Sequence, residues 1–316
     1  MIDEYIKRSV CFGREKPAPG AVHVVFGIDK NYVRPMGVLM TSIWEHNQNI
    51  AIHVFSDSVE EEDILRIRVT AEKYGEVCTI HFVDGAPFQS LPTTRTWTKA
   101  TYFRFIAGEY FYQRIERIIY LDADMLCVGS LRSVYEVDMR EKHIAAVKDS
   151  GLPPGRLERI SHIGDGYFNA GFLLIDTKKW HDGYVFSRAM ELLRADPERY
   201  EALDQDVLNL IYSNKVLWLG KQYNQENNTE DRYPEDTVII HYTATPKPWL
   251  SWYFCRGENL WAKAAALSEW RDIPVLSVPG TAREIRLLSR ASFQRRELVK
   301  GIQWYLKYLG SKIQSS

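Results

Sequence analysis

The chain predicts an α/β fold, a mostly parallel sheet flanked by helices with a crevice at the strand ends, followed by a basic helical appendage. Three observations carry this expectation. Short β-branched runs alternate with stretches of helical spacing, acidic residues fall directly behind several of those runs, and the charge pattern changes near Pro279. Residues 22–28 form the first β run and end at Asp29-Lys30-Asn31, and residues 37–46 carry apolar side chains at helical spacing. A second strand over 50–55 leads into Glu60-Glu61-Glu62-Asp63, acids that suit the positive end of a helix reaching about Tyr74. Residues 79–83 read as a strand, 101–112 as a helix and 117–121 as a strand that stops at Asp122-Ala123-Asp124. Further strands are expected at 144–147, 172–175 and 238–240, and a helix at 204–212. Parallel strands need crossovers, and ligands of such sheets sit at the strand carboxyl ends. Asp29 and the Asp122/Asp124 pair can therefore face one crevice despite their separation along the chain.

Composition bounds the function. With 316 residues, 45% hydrophobic and 26% charged, the chain reads as an ordered globular protein of one or two domains. The net charge of -1 divides into a body at -7 and a tail, residues 281–316, at +6. An acidic body argues against a nucleic-acid surface, whereas a basic tail with interleaved aromatics suits an anionic partner. Cys11, Cys78, Cys127 and Cys255 form no C-x-x-C pair, so they read as reduced thiols and not as a zinc site. Neither a secretory leader nor an apolar run of about 18 residues is present in these residues, which points to the cytoplasm.

Asp122-Ala123-Asp124 is the first chemical feature. Two carboxylates one small residue apart can take a hard cation such as Mn²⁺ or Mg²⁺ and leave positions for phosphate oxygens. The same tripeptide also occurs as solvated loop acids. Here it is accompanied by Tyr167-Phe168-Asn169-Ala170-Gly171, by Leu203-Asp204-Gln205-Asp206 and by His241-Tyr242-Thr243-Ala244-Thr245-Pro246-Lys247-Pro248-Trp249.

Over about 22–249 this set resembles the family 8 glycosyltransferases, which include glycogenin and the bacterial lipopolysaccharide galactosyl- and glucosyltransferases. The resemblance implies a GT-A-like catalytic domain over 1–250, with a donor half at about 22–125 and an acceptor half at about 126–250. Residues 251–316 would then be a helical C-terminal region, basic and amphipathic from about 281. It implies that Asp122, Asp124 and His241 ligate Mn²⁺ or Mg²⁺, with Ala123 between the acids at the donor, and that Lys247 contacts the diphosphate of a UDP-sugar as a point charge. Standing alone, His241 would read as a strand-end histidine and Lys247 as a surface lysine.

The resemblance further assigns Gly27, Asp29, Asn31 and Tyr32 to the nucleotide, with Asp29 accepting from uracil and Tyr32 stacking on the base. It places Arg104 against the donor, although an exposed helix arginine is the competing view, and it gives Asn169, Asp149, Asp204 and Gln205 to the donor sugar. It implies retention of configuration, with Gln205 on the reacting face and either same-face attack or double displacement through Asp149 or Asp204. Asp204 and Asp206 also suit a helix N-terminus whatever the chemistry. Two positions depart from the family: Ala244 stands where glycine is common, and Lys30 where some relatives have an acid.

In the tail, Leu298, Ile302, Tyr305 and Leu309 share a helical face, while Trp304, Tyr305 and Tyr308 accompany Lys300 and Lys307. That pattern suits a helix lying on an anionic inner-membrane surface, or equally a helix docked on the catalytic domain. With the resemblance it implies a peripheral cytoplasmic enzyme that takes UDP-glucose or UDP-galactose and extends a lipopolysaccharide core acceptor. A glycogenin-like acceptor, a phosphatase-like site with a nucleophilic aspartate and a non-catalytic membrane-surface module are the alternatives.

Overall fold

The computed structural model describes residues 2–94, 97–161, 164–228, 230–243, 245–273 and 278–314. Strand β1 (Ile6–Gly13) precedes a run of alternating elements: β2 (Val22–Ile28), α1 (Val33–His46), β3 (Ile50–Ser56), α2 (Glu61–Tyr74) and β4 (Val77–Val83). Then come α3 (Phe103–Tyr110), β5 (Arg117–Leu121), β6 (Met125–Cys127), α4 (Arg132–Tyr135), β7 (Ile144–Lys148) and α5 (Arg156–Arg159). The chain continues through β8 (Phe168–Asp176), α6 (Thr177–Asp182), α7 (Val185–Ala195), α8 (Asp204–Ile211), β9 (Val216–Leu219), β10 (Gln225–Glu226) and β11 (Ile239–His241). Helices α9 (Leu260–Leu267), α10 (Ala282–Gln294) and α11 (Leu298–Gln314) complete it.

Eight strands form one sheet in the order β1-β4-β3-β2-β5-β8-β7-β9, and β10-β11-β6 form a small second sheet. Strands β4, β3, β2 and β5 are parallel neighbours. Their near-complete burial explains why they read as continuous apolar runs. Two strands depart from the parallel expectation. β1 runs antiparallel along the β4 edge with mostly exposed side chains, so it carries no apolar signal. β8 runs antiparallel to both β5 and β7 and starts four residues before the apolar run at 172–175. Asn169 and Gly171 have little strand preference, and pairing with neighbours on both sides overrides it.

Helices cover both faces. Phe55, Phe103, Leu173 and Trp180 belong to the core on one side, and Val24, Met40, Ile52 and Trp270 to the core on the other. Residues beyond 250 share this packing, since Trp249, Tyr253, Trp261 and Ala265 form a third cluster with Val38 and Tyr242. Trp270 lies over Gly37 of α1 and donates its indole N–H to Asp63 of α2 at 3.0 Å.

α10 opens with a capping box in which Thr281 and Glu284 satisfy each other's backbone N–H groups. It pairs with α11, where Gly301 sits against the Phe293 ring and its carbonyl accepts from Ser289 at 2.9 Å. The Arg295 guanidinium ties this hairpin to the body by donating to the Tyr253 carbonyl at 2.6 Å. Leu298, Ile302, Tyr305, Leu306 and Leu309 of α11 remain exposed. Among the described residues, no helix is long and apolar enough to cross a membrane.

A Cβ on Gly37 would lie 2.3 Å from the Trp270 ring. Glycine-to-alanine inside a helix ordinarily stabilises by up to about 1 kcal/mol. Here the sign reverses: Gly37→Ala is expected to destabilise by about 1–3 kcal/mol through overpacking, read as a lower urea midpoint at unchanged slope.

Candidate active site

A cavity of about 420 Å³ opens where β2, β5 and β7 end and where α8 begins. The position is the one expected for ligands of a parallel sheet. Its chemistry is built from the turn after β5. The Asp122 N–H donates to the Gly171 carbonyl of β8 at 2.8 Å, and the Asp124 carbonyl accepts from the Tyr242 N–H behind β11 at 2.9 Å. The acidic pair is thus pinned between the two sheets, with Ala123 buried between them.

Arg104 is not an exposed helix residue: it is 4% exposed, and it organises the floor. Its guanidinium meets Asp122 Oδ1 at 2.9 Å, Asp204 Oδ2 at 2.9 Å and the Ala170 carbonyl at 2.6 Å, and it lies over the Tyr120 ring at 4.5 Å. Burial opposes its charge, but Asp204, Tyr120 and Asp122 outweigh that and hold its pKa above the ordinary value. Asp204 is also buried and accepts from the Thr101 hydroxyl. Burial pushes its carboxyl up to about 6, against the pull of Arg104 and Thr101.

On the other side, Lys247 Nζ lies 2.8 Å from Asp124 Oδ2 and His241 Nε2 lies 3.2 Å from Asp124 Oδ1. Burial raises the Asp124 carboxyl, yet Lys247 and His241 more than reverse this and hold it well below the carboxylate range. Lys247 also donates to the Tyr242 carbonyl, so it is a recessed ion-pair partner and not a free surface lysine. His241 Nδ1 faces Asn224 Oδ1 at 2.8 Å.

Asp122, Asp124 and His241 each offer one ligand atom, and these atoms lie within 4.8 Å of one another. Asp122 gives one oxygen to Arg104 and Asp124 one to Lys247, which leaves the other oxygen of each, with the imidazole, for a cation. Two carboxylates and an imidazole are a fitting donor set for Mn²⁺ or Mg²⁺.

The wall opposite carries Asp149, Asn169 and Gln205. Gln205 Oε1 accepts from the Ala170 N–H at 2.9 Å, while its Nε2 donates to Asp149 Oδ2 at 3.1 Å and to the Tyr167 hydroxyl at 3.3 Å. Asp149 is further held by the Gly151 N–H at 2.7 Å. Asp206 turns away from the cavity and is fully buried on Tyr167, Arg156 and the Ala202 N–H. Ahead of α8, Leu203 adopts φ 48°, rare for an L side chain, and its buried side chain holds this strained entry.

At the far end, Gly27, Asp29 and Tyr32 line the cavity. Gly27 has room for no side chain without crowding Ala100 and Phe103, and Tyr32 packs edge-on against Trp249. Asp29 accepts from the Asn31 N–H at 2.8 Å, so it already caps the turn. Asn31 follows it on the same turn and is exposed. Ala244 lies outside the described residues. Asn224, Thr101, Tyr167 and Arg156 were not assigned roles from the sequence. Tyr167 lies within a quoted polar cluster, but Asn224 sits in an unpatterned polar run with no signal of its own.

The sheet order and a strand-end crevice whose paired acids could hold a cation fit the α/β architecture of the GT-A type. Residues 23–253 match glycosyl transferase family 8, and residues 257–312 match the family 8 C-terminal region. The lipopolysaccharide 1,3-galactosyltransferase of Salmonella typhimurium is 33% identical over 309 residues, covering 92% of this chain and 91% of that protein. The lipopolysaccharide glucosyltransferase WaaO of Escherichia coli is 29% identical over 309 residues with the same coverage. The solved galactosyltransferase LgtC shares the fold with a TM-score of 0.71 at 24% identity, over 83% of this chain and 99% of that one. The chain belongs to glycosyl transferase family 8.

Removing Arg104 would leave Asp122 and Asp204 without their shared counter-charge. Arg104→Met is expected to cost about 3–5 kcal/mol at pH 8. Asp204 already has a raised folded pKa, and losing Arg104 raises it further, so the variant's stability falls more steeply as pH rises above about 6. Urea unfolding at pH 5 and pH 8 should therefore show the smaller deficit at pH 5.

Proposed function

We propose that this glycosyltransferase moves a hexose from UDP-glucose or UDP-galactose to a lipopolysaccharide core acceptor, with retention of anomeric configuration and dependence on Mn²⁺ or Mg²⁺. The acceptor reading rests on the two relatives named for lipopolysaccharide transfer, one a galactosyltransferase and one a glucosyltransferase. The observation that carries the reaction is the convergence of Asp122, Asp124 and His241 within 4.8 Å at the cavity. A divalent cation on this set neutralises charge growing on the departing diphosphate.

In this reading the acceptor oxygen bonds to the anomeric carbon from the face on which the bond to the UDP oxygen breaks, and the acceptor proton passes to that leaving oxygen. Lys247 divides its charge between Asp124 and the diphosphate, while Asn169 and Asp149 hold sugar hydroxyls. Gln205 faces the anomeric centre and stabilises positive charge there. Asp149 and Asp204 are the carboxylates that a double displacement would use, but both are already engaged, by Gln205 and Gly151 and by Arg104 and Thr101. That engagement favours same-face attack.

We assign catalysis to residues 1–250 and surface association to the basic region from about 281. The exposed apolar stripe of α11 and the eight basic residues of 281–316 support peripheral attachment to an anionic inner membrane face and, with it, a cytoplasmic location.

Release of UDP from each donor, followed with a truncated lipopolysaccharide core, is expected to require Mn²⁺ or Mg²⁺. Asp124→Ala should lower it by about 100-fold or more; full activity in that variant would remove the basis of the assignment. For the tail, cosedimentation with phosphatidylserine vesicles should fall at high salt and in an Ile302→Glu/Leu306→Glu protein. Undiminished binding by that protein would defeat the attachment.

A further inference from the structure

We propose that Asn224 is a positioning residue that fixes which nitrogen of His241 meets the catalytic cation and, through the same amide, which end of Asn169 meets the sugar. The inference rests on the cation reading of the acidic pair. Asn224 itself is 6% exposed and does not line the cavity, so it acts only through its neighbours.

The orientation follows from one backbone group. The Gly171 N–H donates to Asn169 Oδ1 at 3.0 Å, and a backbone N–H cannot be anything but a donor. That end of Asn169 is therefore its oxygen. Asn224 approaches the same oxygen at 2.9 Å, so the end of Asn224 found there must be its NH₂. Its other end, 2.8 Å from His241 Nδ1, must then be the carbonyl, and a carbonyl requires Nδ1 to carry the proton. In the neutral ring this leaves the lone pair on Nε2, the nitrogen that faces Asp124 Oδ1 at 3.2 Å. Two electron-rich atoms so placed suit a cation between them. The chain also turns the Asn169 NH₂ away from Gly171, as a donor for a sugar hydroxyl.

Local structure keeps this arrangement in place. Asn224 follows a turn closed by its own N–H on the Lys221 carbonyl, and the next two residues pair with Ile240 and His241 across β10 and β11. A Cβ at Gly171 would lie 2.5 Å from His241 Cε1, so the ring is also confined from the side. Hydrogen-bonded partners of this kind set the tautomer and orientation of metal-binding imidazoles.

Two measurements on the full-length protein test the proposal. In the first, ¹⁵N spectra of the histidine-labelled wild type should show a proton on Nδ1 of His241, the nitrogen that meets Asn224; an unprotonated Nδ1 overturns it. In the second, MnCl₂ is titrated without donor and free Mn²⁺ is read by electron paramagnetic resonance. Asn224→Leu should bind Mn²⁺ about 10–100-fold more weakly than wild type. Asn224→Asp keeps an acceptor for Nδ1–H and should stay within about threefold of wild type. Equal affinity in wild type and Asn224→Leu, or equal loss in both variants, overturns the role of Asn224. If the wild type takes up no Mn²⁺, the cation reading fails instead, which the spectra of the metal-free ring distinguish.

Discussion

A single buried guanidinium holds the cavity floor in register. Arg104 reaches from α3 to the turn after β5, to the start of α8 and to the backbone of β8, so three elements are fixed to one planar group. A lysine could supply the charge but not three directions of N–H at once. Burial of that charge is tolerable because two carboxylates and the face of Tyr120 surround it. The positions of Asp122 and Asp204 relative to each other are consequently a property of α3, not of the turns on which they sit.

The surroundings of the cavity carry more negative charge than their own cations balance. Asp122, Asp124, Asp149 and Asp204 line it, with Arg104 and Lys247 the cations closest to them. Such a site repels a bare diphosphate and attracts a divalent ion, and the ion in turn makes the diphosphate welcome. Asp206 stands apart from this set because Tyr167, Arg156 and a backbone N–H already satisfy it.

The parallel part of the sheet was legible because strands buried on both faces leave apolar runs. Antiparallel β1 and the beginning of β8 were not, since an edge strand shows polar side chains and since Asn169 and Gly171 enter the sheet through pairing alone. The same contrast holds in the site. Asp122 and Asp124 stood out by residue type and spacing, His241 and Lys247 only through the family resemblance, and the fold gathers all four at one cavity. Arg104 was placed at the donor only through the resemblance, and its burial between Phe103 and Phe105 comes from packing that residue type alone does not announce. Asn224 offered no pattern, for its importance comes from a partner seventeen positions later.

Gly171 is where the two halves of the chemistry touch. Its missing side chain leaves the space taken by the His241 ring, the Asn169 amide and the Met125 methyl, each within 3 Å of where a Cβ would stand. The wall between the His241 imidazole and the Asn169 amide is therefore one backbone thick, and any side chain introduced at residue 171 would have to displace both.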